Sequence, residues 1–428
     1  MNRRNLILAV SAMALIPAAK AFAEAGNLRA AAREAWLFTL PLLEMAHTRS
    51  QQATRPNTLA HVRTLATWES RRVTTPNSDT LYSSAWLDLT KGPLTLTLPP
   101  SGKRYQSAHI MNMYTETDAV LSPRSIGNHG GRFRLIGPNT AVKNKSDITI
   151  STSHGWMIVR TLVEGPKDLL AANQLQDGLK LSGPDCRPAP IYPSRNSSAQ
   201  EVLAAAAALM VSDPPRAQNR APLAWKKNLD MSQLSRLTPE QWGEVEQGIL
   251  DAKATLQFLA AGSRYVQGWS YPNAALGKYD EGYAFRAVVS LVGLGALPVD
   301  EAMYMNPEGD TGKGEFRGDG PYRLRFPSPP PVDGFWSLTM YEVTEEKQKF
   351  LTRNALDRYA IGDRTPGLKR NSDGSLDIWI SRTDPGGVRP ANWLPAPSTG
   401  PYTMSLRAYL PRAELMDGRY RLLPIVPA

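Results

Sequence analysis

The chain has little that would staple it shut or tie it to a familiar chemistry. Its 428 residues include one cysteine, Cys186. One thiol cannot close an internal disulfide, so stability has to come from packing. Cys186 sits in the Pro-rich run "SGPDCRPAPIYP" with no histidine near it in sequence, which argues against a nucleophilic role. The sequence lacks a Gly-x-Ser-x-Gly elbow, a P-loop, a His-Glu-x-x-His pair and a Cys-x-x-Cys pair. The hydrolase-elbow, nucleotide and standard zinc-protease readings fall with those motifs. The glycine pattern "GKGEFRG" at 312–318 is one residue too long for a dinucleotide fingerprint and precedes a strand rather than opening a helix. No block of five or six Lys/Arg residues appears, so no nucleic-acid partner is expected. Histidine stops early: His47, His61, His109, His129 and His154 all lie in the first 154 residues, with none at a spacing of two or four. A metal site with Asp79 or Asp88 would have to gather imidazoles from separate strands, and none is predicted.

What is present describes a globular, export-bound chain. Hydrophobic residues make up 42% and charged residues 21%, a folded composition. Proline (35) outnumbers glycine (32), which suits many short strands joined by turns. The start, "MNRRNLILAVSAMALIPAAKAFA", has basic Arg3 and Arg4, an apolar run from Leu6 to Ile16 and small residues at Ala21-Phe22-Ala23. This three-part pattern predicts an export signal cleaved after Ala23, and a periplasmic or secreted mature chain. The paired arginines also fit a twin-arginine signal. Cleavage would remove Arg3, Arg4 and Lys20 and no acids, taking the net charge from +10 to +7. No later stretch is long enough to cross a membrane.

The patterning predicts α+β architecture: two antiparallel β-sandwiches with a helical region between or beside them. A helical segment is expected over 24–69, with Pro41 kinking or splitting the helix that starts at Leu28. Residues 70–166 read as β: "LTLTL" (94–98) alternates strictly, and "RYQSAHIMNMYTE", "RFRLIGP", "DITIS" and "GWMIVRTLVEG" follow at short intervals. Residues 167–300 read as mainly helical, through the Ala-rich 199–210, a capped helix over 238–262 and an apolar helix over 281–297. Residues 301–428 return to β, with "GPYRLRFP", "GFWSLTMYEV", "SLDIWISR" and "YTMSLRAYLP". Asn-Ser-Asp occurs in both "PNSDTLYSSAW" and "RNSDGSLDIWI", which is too short a match for a duplication.

Several of these strings carry a family resemblance. "TPNSDTLYSSAWLDL", "GPLTLTLPP" and "GWMIVRT" resemble the bacterial domain of unknown function 1254. "DGPYRLRFPSPPPVDGFWSLTMYE", "DRYAIGD", "NSDGSLDIWIS", "NWLPAP" and "LRAYLPR" resemble the domain of unknown function 1214. The resemblance implies a pair of jelly-roll-like sandwiches with an attached helical region, often exported. It brings no reaction and no catalytic residues. Where members show a paired aromatic after an arginine, this chain has Arg104-Tyr105-Gln106.

The candidate site is "TTPNSDTLYSSAWLDL", 74–89. Alternation from Leu81 puts Leu81, Ser83, Ala85, Leu87 and Leu89 on a core face. Tyr82, Ser84, Trp86 and Asp88 then face solvent or a cleft. Two readings stand. In one, Asn77 and Asp79 are turn-formers that satisfy their own backbone. In the other, Asp79 is an acid/base with Arg104 as its charge partner and anion holder. Asn77, Tyr82, Trp86, Asp88, Tyr105 and, from the C-terminal unit, Asn392 and Trp393 would then line a ligand cleft. The expected partner is a small polar or carbohydrate-like ligand, bound or transformed. The alternatives are a non-catalytic binding module and an assembling envelope protein that forms homo-oligomers. The sequence specifies no cofactor.

Overall fold

The structure, a computed structural model, describes residues 28–52, 55–216, 225–261, 264–386 and 389–428. The expected export signal, 1–23, lies outside the described residues. No helix among them is long and apolar enough to cross a membrane.

The fold is α+β, with several mainly antiparallel sheets. Strands β1 (Ala60–Val62), β2 (Thr80–Asp88), β3 (Leu94–Leu98), β4 (Gln106–Asn112), β5 (Thr117–Leu121), β6 (Gly131–Ile136), β7 (Asp147–Thr149), β8 (His154–Leu162) and β9 (Lys180–Ser182) build a first β unit. They form a five-stranded sheet ordered β1-β2-β8-β4-β5 and a four-stranded sheet ordered β7-β6-β3-β9. Both sheets feed one apolar cluster. Ala85 and Leu87 of β2, Ile110 of β4 and Val159 of β8 come from one sheet, and Leu94, Leu96 and Leu135 from the other. β9 lies inside the stretch read as helical, yet it pairs with β3.

Strands β10 (Tyr265–Val266), β11 (Trp269–Ser270), β12 (Ala302–Pro307), β13 (Tyr322–Phe326), β14 (Trp336–Val343), β15 (Lys349–Phe350), β16 (Ala360–Gly362), β17 (Leu376–Ser381), β18 (Trp393–Pro395), β19 (Tyr402–Tyr409) and β20 (Val426–Pro427) build the second. Its larger sheet runs β10-β11-β12-β19-β14-β15 with β16 also on β14, and its smaller sheet runs β18-β17-β13-β20. Trp336, Leu338 and Met340 alternate along β14 into a cluster shared with Leu324, Ile378 and Leu406. This is the buried stripe that period-two spacing predicts.

The longer helices are α1 (Leu28–Gln52), α2 (Leu169–Asp177), α3 (Ala199–Ser212), α4 (Pro239–Ala261) and α5 (Tyr283–Val292). α1 neither splits nor stops at Pro41; it runs through to Gln52. It is apolar nearly all round from Ala31 to Ala46 and is packed against α4 and α5. A helix buried on every side keeps its form by packing, which outweighs the one backbone bond that proline removes. α3 starts with a capping box between Ser198 and Glu201. α4 starts with a reciprocal pair, Thr238 N to Gln241 Oε1 at 2.9 Å and Gln241 N to Thr238 Oγ1 at 3.3 Å. Its expected stop, Gly262, falls outside the described residues. α5 is shorter than the expected 281–297, because Gly293 and Gly295 end it. Gly295 takes φ +83°, and a Cβ there would meet Ile158 Cδ1 at 2.9 Å. The chain after α5 therefore lies hard against β8, a close approach that glycine permits.

Candidate functional site

Asp79 and its neighbours are buried between the two β units, and the reason is local. Asn77 Oδ1 accepts the Asp79 backbone N–H at 2.6 Å, the Asx turn the sequence predicts. That turn leaves both carboxylate oxygens of Asp79 free to reach across. Ser337 Oγ donates to Oδ2 at 2.5 Å, and Arg364 Nη2 donates to Oδ1 at 2.9 Å. The rest of the loop does the same. The Thr75 N–H bonds Lys349 O at 2.7 Å, and Arg407 Nη2 donates to Thr75 O at 3.0 Å. Tyr341 Oη donates to Pro76 O at 2.9 Å, and Asn77 Nδ2 donates to Tyr409 Oη at 2.8 Å. Every one of these partners belongs to the second unit. The face of β14 opposite its core stripe, with Phe335, Ser337, Thr339 and Tyr341, is the surface that receives the loop.

Arg104 is not the charge partner of Asp79. It donates to Asp168 Oδ1 at 2.6 Å and to Leu162 O at 2.6 Å. These contacts tie β8 to the start of α2. Arg364, 285 residues beyond Asp79 in sequence, takes the place expected of Arg104. A pairing of that separation leaves no local signature.

The Tyr82–Asp88 face of β2 is not a solvent face or a cleft wall. Trp86 is 3% exposed and stacks on Trp156 across the strand pair, with ring centroids 4.7 Å apart and planes 6° from parallel. α1 and its helical neighbours cover both rings. Such a stack adds roughly 1 kcal/mol beyond the area it buries. Asp88 accepts Thr90 N and Oγ1 at 3.0 and 2.5 Å. It faces Arg49 and His154, each at 3.7 Å. Burial pushes its carboxyl up, but the Thr90 bonds, with His154 and Arg49, hold it below the usual range.

The other expected ligand residues are also in structural bonds. Tyr105 is buried and donates to Glu301 Oε1 at 2.7 Å. Asn392 is buried, accepting Lys369 N and donating to Lys369 O and Asp377 O. The half-buried Trp393 donates its indole N–H to Ser381 O at 3.0 Å. The structure thus brings Asn77 and Asp79 together with second-unit side chains. It places Tyr82, Trp86 and Asp88 on the covered sheet face, and Asn392 and Trp393 at the β17–β18 edge. Among the described residues no group of three or more His, Cys, Asp and Glu side chains converges as a metal cage.

The charge network continues to a cavity. Arg364 Nε lies 3.5 Å from Asp363 Oδ1, and its guanidinium sits over the Phe335 ring at 4.3 Å. Arg364 therefore stands between two carboxylates, one buried and one reachable. Asp363 follows β16, whose Gly362 lies against the β14 backbone. A Cβ at Gly362 would meet Trp336 O at 2.2 Å, so glycine is what lets β16 end there. Asp363, with Trp336, Thr365, Leu368, Arg370 and Leu376, lines a cavity of about 300 Å³. Its side chain is 34% exposed, enough to exchange protons with solvent. Burial of the rest, with the nearby Asp79 charge, outweighs Arg364 and pushes the carboxyl up to about 6. A carboxyl that titrates near neutrality in a cavity wall can both give and take a proton. Asp363 stands in the string "DRYAIGD", and a turn carboxylate in a sequence gives no hint of its desolvation.

The fold has a solved counterpart. The VPA0106 protein from Vibrio parahaemolyticus superposes with a TM-score of 0.72 at 21% identity, over 94% of this chain and 100% of that one. At that identity the likeness speaks for the fold. An uncharacterised protein from Burkholderia cenocepacia matches with a TM-score of 0.48 at 12% identity, over 92% of this chain and 88% of its own. No curated protein matches the sequence. Two family models do: Protein of unknown function (DUF1254) over residues 56–183 and Protein of unknown function (DUF1214) over residues 301–413. These spans hold the two sides of the joint, with Asp79 in one and Ser337 and Arg364 in the other, and the chain belongs to the two-domain family of unknown function that carries the first N-terminal to the second.

Proposed function

We propose that the protein is exported and that it binds or transforms a small polar or carbohydrate-like molecule in the cavity beside Asp363. The observation that carries this reading is a carboxyl raised to about 6 in the wall of a cavity of about 300 Å³. Perturbed carboxyls in clefts cluster at functional sites, and that volume lies at the small end of ligand pockets. Thr365 and Arg370 supply polar handles beside it, and Trp336 and Leu376 supply apolar wall. Asp363 would be the proton-carrying group. Arg364 and Asp79 would set its charge environment from behind, so Asp79 acts at one remove instead of touching the ligand.

The architecture fits two jelly-roll-like sandwiches, since the two sheets of each unit share one apolar cluster. Export rests on the basic, apolar and small-residue pattern of 1–23. N-terminal sequencing of protein from a periplasmic extract would find a chain starting at Glu24; an intact Met1 would overturn it.

The ligand site is tested with a panel of sugars, amino acids and hydroxy acids in thermal-shift assays on wild type and Asp363→Asn. The expected result is at least one wild-type ligand whose binding or turnover falls in the variant. Retained binding with lost turnover makes Asp363 an acid/base. Equal binding without turnover in either protein makes this a binding module. No ligand from the panel at all would overturn the assignment of this cavity.

A further inference from the structure

The wall of the Asp363 cavity carries two opposite charges that do not meet. Asp363 and Arg370 both line it, and among the described residues no ion pair joins them. The polar neighbours of Asp363 fall on one oxygen: Oδ1 lies 3.4 Å from Trp336 N and 3.5 Å from Arg364 Nε. Oδ2 is left without a partner among the described residues. Arg370 stands in the exposed turn before β17, where Nη1 donates to Gly374 O at 3.1 Å. That bond holds the side chain across the turn. Its other guanidinium donors, and its charge, meet no carboxylate among the described residues. Thr365 lines the same cavity. Its Oγ1 accepts Gly362 N at 2.9 Å, which leaves the hydroxyl proton to donate. Trp336, Leu368 and Leu376 supply the apolar part of the wall.

A cavity of about 300 Å³ that keeps a cation and a carboxyl apart suits a small ligand that brings a counterpart to each. Arg370 calls for an anion, and the planar guanidinium fork matches a carboxylate. Asp363 calls for a polar hydrogen at Oδ2. A hydroxyl serves better there than an ammonium, for two reasons. Arg364 already lies 3.5 Å from Oδ1, so a second cation on the same carboxyl would face that guanidinium at short range. The Asp363 carboxyl, raised to about 6, also changes its protonation near neutrality. A hydroxyl can donate to the carboxylate or accept from the acid, whereas an ammonium only donates.

We propose that the ligand of this cavity is a small hydroxy acid of the sugar-acid type, its carboxylate held by Arg370 and Thr365 and its hydroxyl by Asp363 Oδ2. The inference rests on the reading of this cavity as a ligand site, and narrows that reading from polar molecules in general to acids. Trp336 and Leu376 face the carbon skeleton. A neutral sugar leaves Arg370 unmatched, and an amino acid sets its ammonium against Arg364.

The test is calorimetric titration of the full chain, at equal ionic strength, with two acids and their counterparts: galacturonate against galactose, and lactate against 1,2-propanediol and alanine. At least one acid should bind wild type about tenfold more tightly than each of its counterparts. Arg370→Gln, on an exposed turn, should fold and should erase that preference while leaving the neutral counterpart's affinity as it was. Asp363→Asn should weaken the acid and the neutral molecule alike. Galactose or the diol binding as tightly as its acid, with that binding weakened in Asp363→Asn, would overturn the acid assignment and leave the cavity a ligand site. So would an acid whose affinity is unchanged in Arg370→Gln. Alanine binding more tightly than lactate would overturn the hydroxyl's place at Asp363. Silence from every ligand in wild type would overturn the reading of the cavity and this inference with it.

Discussion

The tripeptide Asn-Ser-Asp occurs at 77–79 and at 371–373, and the two copies end in opposite environments. Each holds a side-chain oxygen that accepts a backbone N–H two residues on, but from different positions: the asparagine in the first copy and the aspartate in the second. Asn77 takes Asp79 N at 2.6 Å, and Asp373 takes Ser375 N at 3.0 Å. From there they part. Asp79 is 5% exposed and bonded to Ser337 and Arg364 of the other β unit. Asp373 lies in an exposed turn, held by the Ser375 hydroxyl and by Arg325. The Ser375 bonds, before the Arg325 charge, keep its carboxyl below the usual range. In the first copy the asparagine makes the turn and leaves the aspartate free to join two units; in the second the aspartate is spent on its own turn.

The largest expected difference between the copies is in stability. Asp79→Asn removes the charge that faces Arg364 and should lower the unfolding free energy by about 3 kcal/mol, measured by urea denaturation. A loss no greater than that of Asp373→Asn would break the comparison. A smaller effect is expected at the next bond of the joint. Tyr409→Phe leaves Asn77 Nδ2 without its buried acceptor and should cost about 1–2 kcal/mol in the same assay.

The third prediction concerns pH. The Asp363 carboxyl titrates at about 6 in the folded chain against an ordinary 3.8. Between pH of about 4 and 6 the folded state therefore holds a proton that the unfolded chain has released, and stability falls as pH rises through that window. Asp363→Asn should flatten this slope and melt above wild type at pH 7. Parallel pH–Tm curves for the two proteins would remove Asp363 from the account. The smallest effect sharpens the comparison from the other side: Asp373→Asn, on an exposed turn, should change stability by no more than about 0.5 kcal/mol.

Much of the framework was legible because it is local. The strict alternation of "LTLTL" is β3, and the Thr238–Gln241 pair starts α4 where the capping pattern puts it. The stripe Trp336-Leu338-Met340 is buried as period-two spacing requires. The turn at Asn77 was legible for the same reason. The covered face of β2 was not. Tyr82, Ser84, Trp86 and Asp88 alternate as polar and aromatic residues do at a surface, and a helical layer drawn from elsewhere in the chain covers them. Arg104, the partner expected for Asp79, is bound to Asp168 instead. Asp363 and Arg160 gave no local sign, since neither has a motif and both owe their character to what is packed around them.

The sequence by itself determined the elements, the family and the turn chemistry, because backbone propensity, side-chain period and hydrogen bonds two or three residues apart are all read along the chain. The tertiary structure decided which charge meets which. It set Arg364 between Asp79 and Asp363, and it buried Arg160 against β4 with no carboxylate paired to it among the described residues. Desolvation and pairing energies depend on distance through space, and residues hundreds of positions apart become neighbours only when the sheets and helices have packed.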